Sequence, residues 1–140
     1  MDFARAEPRI RALMRDYFEV LHTQDMELFG RVFHPECVLY SAQSGELNVR
    51  PFAVYREVVR NRTSPAALGE KRREDILLFD QVSPTLAFVK PQLQMFGGIM
   101  QDYLNLAFVD EQWWVVAKMW EKVGDVSVQS ADRQLTAGAI

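Results

Sequence analysis

The chain has 140 residues, 49% of them hydrophobic and 25% charged, with a net charge of −3. That length suits one domain with its own core and leaves no room for a second, and the composition excludes a disordered or membrane-embedded polypeptide. The weakly acidic balance argues against nucleic acid as a partner, because affinity for it comes largely from Lys and Arg on phosphates.

The single cysteine, Cys37, excludes an intramolecular disulfide. The opening MDFARAEPRIR lacks the apolar core of a signal peptide, and no apolar run approaches the roughly 18 residues of a membrane span. A cytoplasmic protein with no membrane partner is therefore expected.

From Phe3 to His22, Ile10, Leu13, Met14, Tyr17, Phe18 and Leu21 recur at steps of three and four, the stripe of an amphipathic helix. Asp25 then caps a short second helix through Met26, Leu28, Phe29, Val32 and Phe33, which Pro35 closes. CVLYSA, from Cys37 to Ala42, is a strand; Ser44-Gly45 is a turn and ELNV a short return strand. Arg50-Pro51 opens a third helix through Phe52, Tyr55, Val58 and Val59.

After the loop-like stretch NRTSPAALGEK, the period changes from helix to strand. EDILLFDQV, TLAFVKPQLQMF, MQDYLNLAFV and WWVVAKMWEKV are four strand candidates, separated by Ser83-Pro84, Gly97-Gly98 and Asp110-Glu111-Gln112. Pro91 inside the second demands an edge position or a bulge. Helices first and strands afterwards predict an α+β fold, helices packed on one face of an antiparallel or mixed sheet. The domain is placed at residues 1–123, with a small, polar tail at 124–140 that is flexible or packed on a partner.

Two stretches, YFEVLHTQDMELFGRVFHPECVLY and QDYLNLAFVDEQWWVVAKMWEKV, together with the spacing between them, resemble the NTF2-like superfamily. This is the cone-shaped fold of nuclear transport factor 2, ketosteroid isomerase, scytalone dehydratase and the SnoaL-type cyclases. Within it the sequence is most similar to the bacterial families labelled "putative lumazine-binding". The resemblance implies three helices packed into a strongly curved sheet, a blind cavity at its open end, and a homodimer formed through the sheet. It also implies positions: Tyr17 falls where ketosteroid isomerase has its oxyanion-hole tyrosine, Asp102 where it has its protonated aspartic acid, and Trp120 where some members have a pocket tryptophan. The position of the catalytic base falls on or near Ser41, which cannot remove a carbon-bound proton, so steroid isomerase activity is not expected. His22 and His34, at the ends of the first two helices, look peripheral to any dehydratase-like site.

Asp102 and Lys118 are the chemical anomaly of the sequence, charges set among Leu, Val and Trp on two adjacent strands. Alternation puts Asp102, Leu104, Leu106 and Phe108 on one face, and Trp114, Val116, Lys118 and Trp120 on one face of the next strand. A three-residue loop at Asp110-Glu111-Gln112 sets Asp102 opposite Trp120 with Lys118 on the diagonal; a two-residue loop shifts the register by one and separates them. Paired, the two form an acid/base couple, a polar anchor for a ligand, or a buried ion pair that fixes register.

The expected site has Asp102, Tyr17 and Lys118 as catalytic groups. Trp120, Trp114, Leu104, Phe33, Tyr55 and Ser41 would contact the ligand, a small, mostly apolar organic molecule. No metal-ligand cluster or phosphate loop is present in the sequence, so no cofactor is expected, and any chemistry would be proton transfer of the isomerase, dehydratase or cyclase type. Arg56, Arg60, Arg62, Lys71, Arg72 and Arg73 are expected to form a solvated face. The rival function is a noncatalytic interaction module that uses its sheet. It predicts capped charges and no void, where a ligand protein predicts a cavity on the order of several hundred Å³ that reaches solvent.

Overall fold

Helix α1 (Pro8–Thr23) carries the anticipated stripe, with Ile10, Leu13, Met14, Tyr17, Phe18 and Leu21 all buried. In the computed structural model, which describes residues 2–126, it begins at Pro8, after a short 3-10 turn at Phe3–Arg5. The fixed φ of Pro8 suits a first helical turn, and the Glu7 side chain accepts from the Arg9 amide. Gln24, at φ 59°, ends the helix in the left-handed conformation. Asp25 caps α2 (Met26–Val32), its carboxylate accepting from the amides of Glu27 and Leu28.

Strand β1 (Phe33–Ser41) starts where α2 stops, four residues earlier than the sequence suggested, and includes Pro35. Strand β2 (Asn48–Pro51) follows, then α3 (Phe52–Asn61). The long strands are β3 (Glu74–Ser83), β4 (Leu86–Met95), β5 (Gly98–Val109) and β6 (Gln112–Asp125). They form one six-stranded sheet in the order β2-β1-β6-β5-β4-β3. Among the described residues only the β1–β6 pair is parallel, so the sheet is mixed. Strand β6 runs two residues past the expected domain end, to Asp125; the rest of the tail from residue 127 lies outside the described residues.

Bulges bend this sheet around the helices. Pro91 is interior to the sheet, and the ladder adjusts beside it: β3 carries an extra residue between Ile76 and Leu78. A second bulge in β6 decides the site. The β5–β6 turn is the two-residue version, with Val109 opposite Gln112 and both Asp110 and Glu111 at positive φ. Taken alone, that turn separates Asp102 from Lys118. Val116 is the extra residue, between the pairs Leu106–Val115 and Asn105–Ala117, and it restores Asp102 opposite Trp120 and Leu104 opposite Lys118.

The core is dry and aromatic toward the turn end. Phe29 stacks on Phe33 at 4.6 Å, and Tyr17 and Tyr55 lie 5.8 and 5.6 Å from Phe33. Such ring pairs add about 0.5–1.5 kcal/mol each beyond the area they bury. Among the described residues no helix is long and apolar enough to cross a membrane.

Candidate functional site

Three elements bring the polar groups of the interior together: Tyr17 from α1, Asp102 from β5 and Lys118 from β6. Tyr17 Oη donates to Asp102 Oδ2 at 2.5 Å. The Lys118 ammonium lies 3.9 Å from the same oxygen and donates a long hydrogen bond, 3.5 Å, to Tyr55 Oη on α3. It also sits over the rings of Tyr17 and Tyr55, at 5.2 and 5.4 Å, where the negative faces of the rings favour a cation. Asp102 and Lys118 are 2% and 6% exposed, and Tyr17 is fully covered.

Burial pushes the Asp102 carboxyl up from its ordinary value, and the Lys118 charge and Tyr17 hydrogen bond pull against it. Tyr17 is held well above the ordinary tyrosine range by burial first and by the neighbouring carboxylate second. The nearby Cys37 thiol is pushed up to about 12, again by burial, with Lys118 opposing. At neutral pH Cys37 is an inert core thiol.

Asp102, Lys118 and Tyr55 form the inner end of a cavity of about 240 Å³. Leu21, Met95, Met100 and Trp120 line it further, with Arg50, Arg62, Phe96, Gly98 and Lys122. Phe96 is 43% exposed, so the cavity opens to solvent at the β4–β5 turn, where Phe96 and Gly97 both take positive φ. That volume is below the usual range of roughly 300–1,000 Å³ for sites of drug-sized ligands.

Tyr55 and Trp120 meet Asp102 and Lys118 in this cavity; the other expected contacts do not. The Trp114 expectation is corrected: the Val116 bulge reverses the alternation, so Trp113 (3% exposed) faces inward beside Val115. Trp114 lies on the opposite face, packed edge-on against His34 and donating to the Val109 carbonyl. Phe33 and Leu104 are also corrected, both 0% exposed and part of the packed core rather than the cavity wall. Ser41, near the end of β1 opposite Asn48, is buried but does not line the cavity. Tyr17 does not line it either, because its hydroxyl is taken up by Asp102.

Sequence reasoning passed over two cationic groups. Arg50 on β2 has its guanidinium 5.0 Å from the Trp120 ring. Arg62 leaves the basic set that was expected to face solvent, since Gln24 captures it. The Gln24 amide donates to the Val59 and Arg62 carbonyls and accepts from Arg62 Nε at 2.9 Å. Its neighbours do form surface pairs, Arg56 and Arg60 with Glu57, and Arg72 with Glu19 and Glu74. Among the described residues no group of three or more His, Cys, Asp or Glu side chains is placed to hold a metal ion.

The order of elements, the curved mixed sheet and the blind cavity define an NTF2-like fold, and known structures agree. An NTF2-like protein of unknown function from Shewanella baltica superimposes with a TM-score of 0.75 at 19% identity, over 89% of this chain and 99% of that one. One from Silicibacter pomeroyi gives 0.70 at 16% identity, over 88% and 100%. A ketosteroid isomerase-like protein from Erwinia carotovora atroseptica gives 0.65 at 15%, over 87% and 99%. The chain itself belongs to the family described as "Putative lumazine-binding", whose sequence profile matches residues 5–121. A comparison with curated proteins gave no match.

Proposed function

We propose that this protein binds a small, mostly apolar organic molecule in the cavity and acts on it by cofactor-independent proton transfer of the isomerase, dehydratase or cyclase type. The observation that carries this reading is the Asp102–Lys118 pair at the inner end of an open cavity of about 240 Å³. A carboxyl whose pKa is raised by burial is a stronger base than an ordinary aspartate, which suits it to exchange a proton with a ligand. Lys118, with one long hydrogen bond and a distant carboxylate, keeps donors for a ligand oxygen. The Tyr55 hydroxyl accepts from Lys118 and retains its own proton to donate. In this scheme Asp102 is the acid or base, Lys118 and Tyr55 stabilise charge developing on the ligand, and Tyr17 positions Asp102. Trp120 supplies an apolar wall.

The family description supports a small-molecule ligand, and the open cavity favours this over a noncatalytic interaction module. The outer face of β5 and β6 carries exposed Tyr103, Met119 and Val123, which a homodimer through the sheet would cover.

The test is a thermal-shift screen against a small-metabolite library, repeated on hits with Asp102→Asn. A ligand present at 100 times its Kd stabilises by about 2.7 kcal/mol, several degrees for a chain of this size. Loss of that shift in the variant is the expected result. If no compound binds and Asp102→Asn only lowers stability, the pair is structural and the proposal fails.

A further inference from the structure

The charge of the cavity is opposite to that of the protein. The chain has 19 acidic and 16 basic residues, yet Arg50, Arg62, Lys118 and Lys122 line the cavity and Asp102 is its single carboxylate among the described residues. Lys122 is neutralised at the surface by Asp125, 2.6 Å away. The others are under-partnered. Arg50 and Arg62 have no carboxylate within 4 Å among the described residues, and Lys118 reaches Asp102 only at 3.9 Å.

Arg62 is the most telling. Its Nε is held by Gln24 and its guanidinium lies 5.1 Å from the Phe96 ring at the mouth, while Nη2 is buried with no acceptor among the described residues. A buried charged donor without a partner is costly and rare in folded proteins. Lys118, a buried cation on the same cavity where Arg62 is half-buried, also has donors unmatched among the described residues. What both lack is an acceptor with negative charge, and the fork of a guanidinium suits a planar carboxylate.

The remaining lining sets the body of the ligand. Trp120, Phe96 and Tyr55 offer ring faces and Met95 and Met100 adaptable apolar contacts, around a volume of about 240 Å³. We infer that the ligand is a small organic carboxylate of about one ring, its anionic group received by Arg62 at the mouth and its apolar body lying against Trp120. The inference rests on the small-molecule reading above and names the class of molecule for that site.

The experiment compares matched single-ring pairs, benzoate with benzamide and 4-hydroxybenzoate with 4-hydroxybenzamide, along with sulfate. Binding is read from quenching of tryptophan fluorescence and from NMR shifts of the Trp120 indole N–H, with Trp113 and Trp114 as internal controls. The expected result is carboxylates binding at least tenfold tighter than amides and weakening as salt rises, with sulfate not competing. Arg62→Met should cost carboxylates about tenfold and leave amides unchanged, and Arg62→Lys should recover part of the loss. If amides bind as tightly as carboxylates, or Arg62→Met weakens both alike, the carboxylate assignment is overturned and the cavity reading stands. Equal competition by sulfate also overturns it, in favour of a general anion site. If neither member of any pair binds, while compounds without a carboxylate in the metabolite screen do, the carboxylate class is wrong; if the whole screen fails, both readings fall.

Discussion

Between the Asp110-Glu111 turn and the bulge at Val116, the inward side chains of β5 and β6 are Leu106, Phe108, Trp113 and Val115; beyond it they are Asp102, Leu104, Lys118 and Trp120. The first half closes against α1 and α2, where Trp113 Nε1 donates to Glu7 at 2.7 Å and Leu106 and Val115 are fully covered. The second half faces Tyr17, Tyr55 and the cavity. One hairpin thus serves as packed core at one end and as polar site at the other. A closed end needs only matching apolar shapes, whereas buried charge is tolerable where partners and an opening to solvent exist together.

The largest expected effect tests the dry half. Leu106→Ala should cost about 2–5 kcal/mol, because a covered side chain leaves a cavity that cannot fully collapse. Trp120→Ala removes a larger but half-buried group from an existing cavity and should cost less than about half as much. Urea unfolding of both measures the gap, and equal losses would erase the distinction between the two ends.

A smaller effect is expected from Lys118→Met, which keeps the apolar stem and removes the charge. At a pH above the raised Asp102 value it leaves an ionised carboxylate without its cation, a loss of about 1–3 kcal/mol. That loss should shrink as the pH falls and Asp102 takes up a proton. A cost independent of pH would mean the ammonium acts only by packing.

The smallest effect is a slope. The folded-state pKa of Asp102 is raised, so the native state holds this proton more tightly than the unfolded chain. Its contribution is therefore most favourable below the ordinary carboxylate value, and declines as pH rises from there through the raised value. Asp102→Asn, which cannot titrate, should flatten that part of the stability profile. An unchanged slope would show that Asp102 titrates normally.

The helical stripe of α1 was legible because its period comes from the backbone alone, and each of its six named apolar residues is buried. The pairing of Asp102 with Trp120 was only one of two registers that the sequence left open, and the fold reaches it by another route. A three-residue loop was one way to reach that register; the fold reaches it with a two-residue turn and the extra Val116. That same residue is why strict alternation placed Trp114 inside. A bulge adds one residue to one strand and has no strong local signature in a run such as WWVVAKMW, where either Val could carry it.

Sequence alone determined the α+β class, the order of the elements and the two charges buried among apolar strands, since periodicity, caps and turns act over a few residues. Tertiary structure alone decided which side chains meet at the cavity. Arg62 turns inward only because Gln24, 38 residues away, holds it, and Asp102 has its raised pKa only because helix and sheet together exclude water from it. Contacts between distant segments and the burial they produce are properties of the closed fold, and no local pattern encodes them.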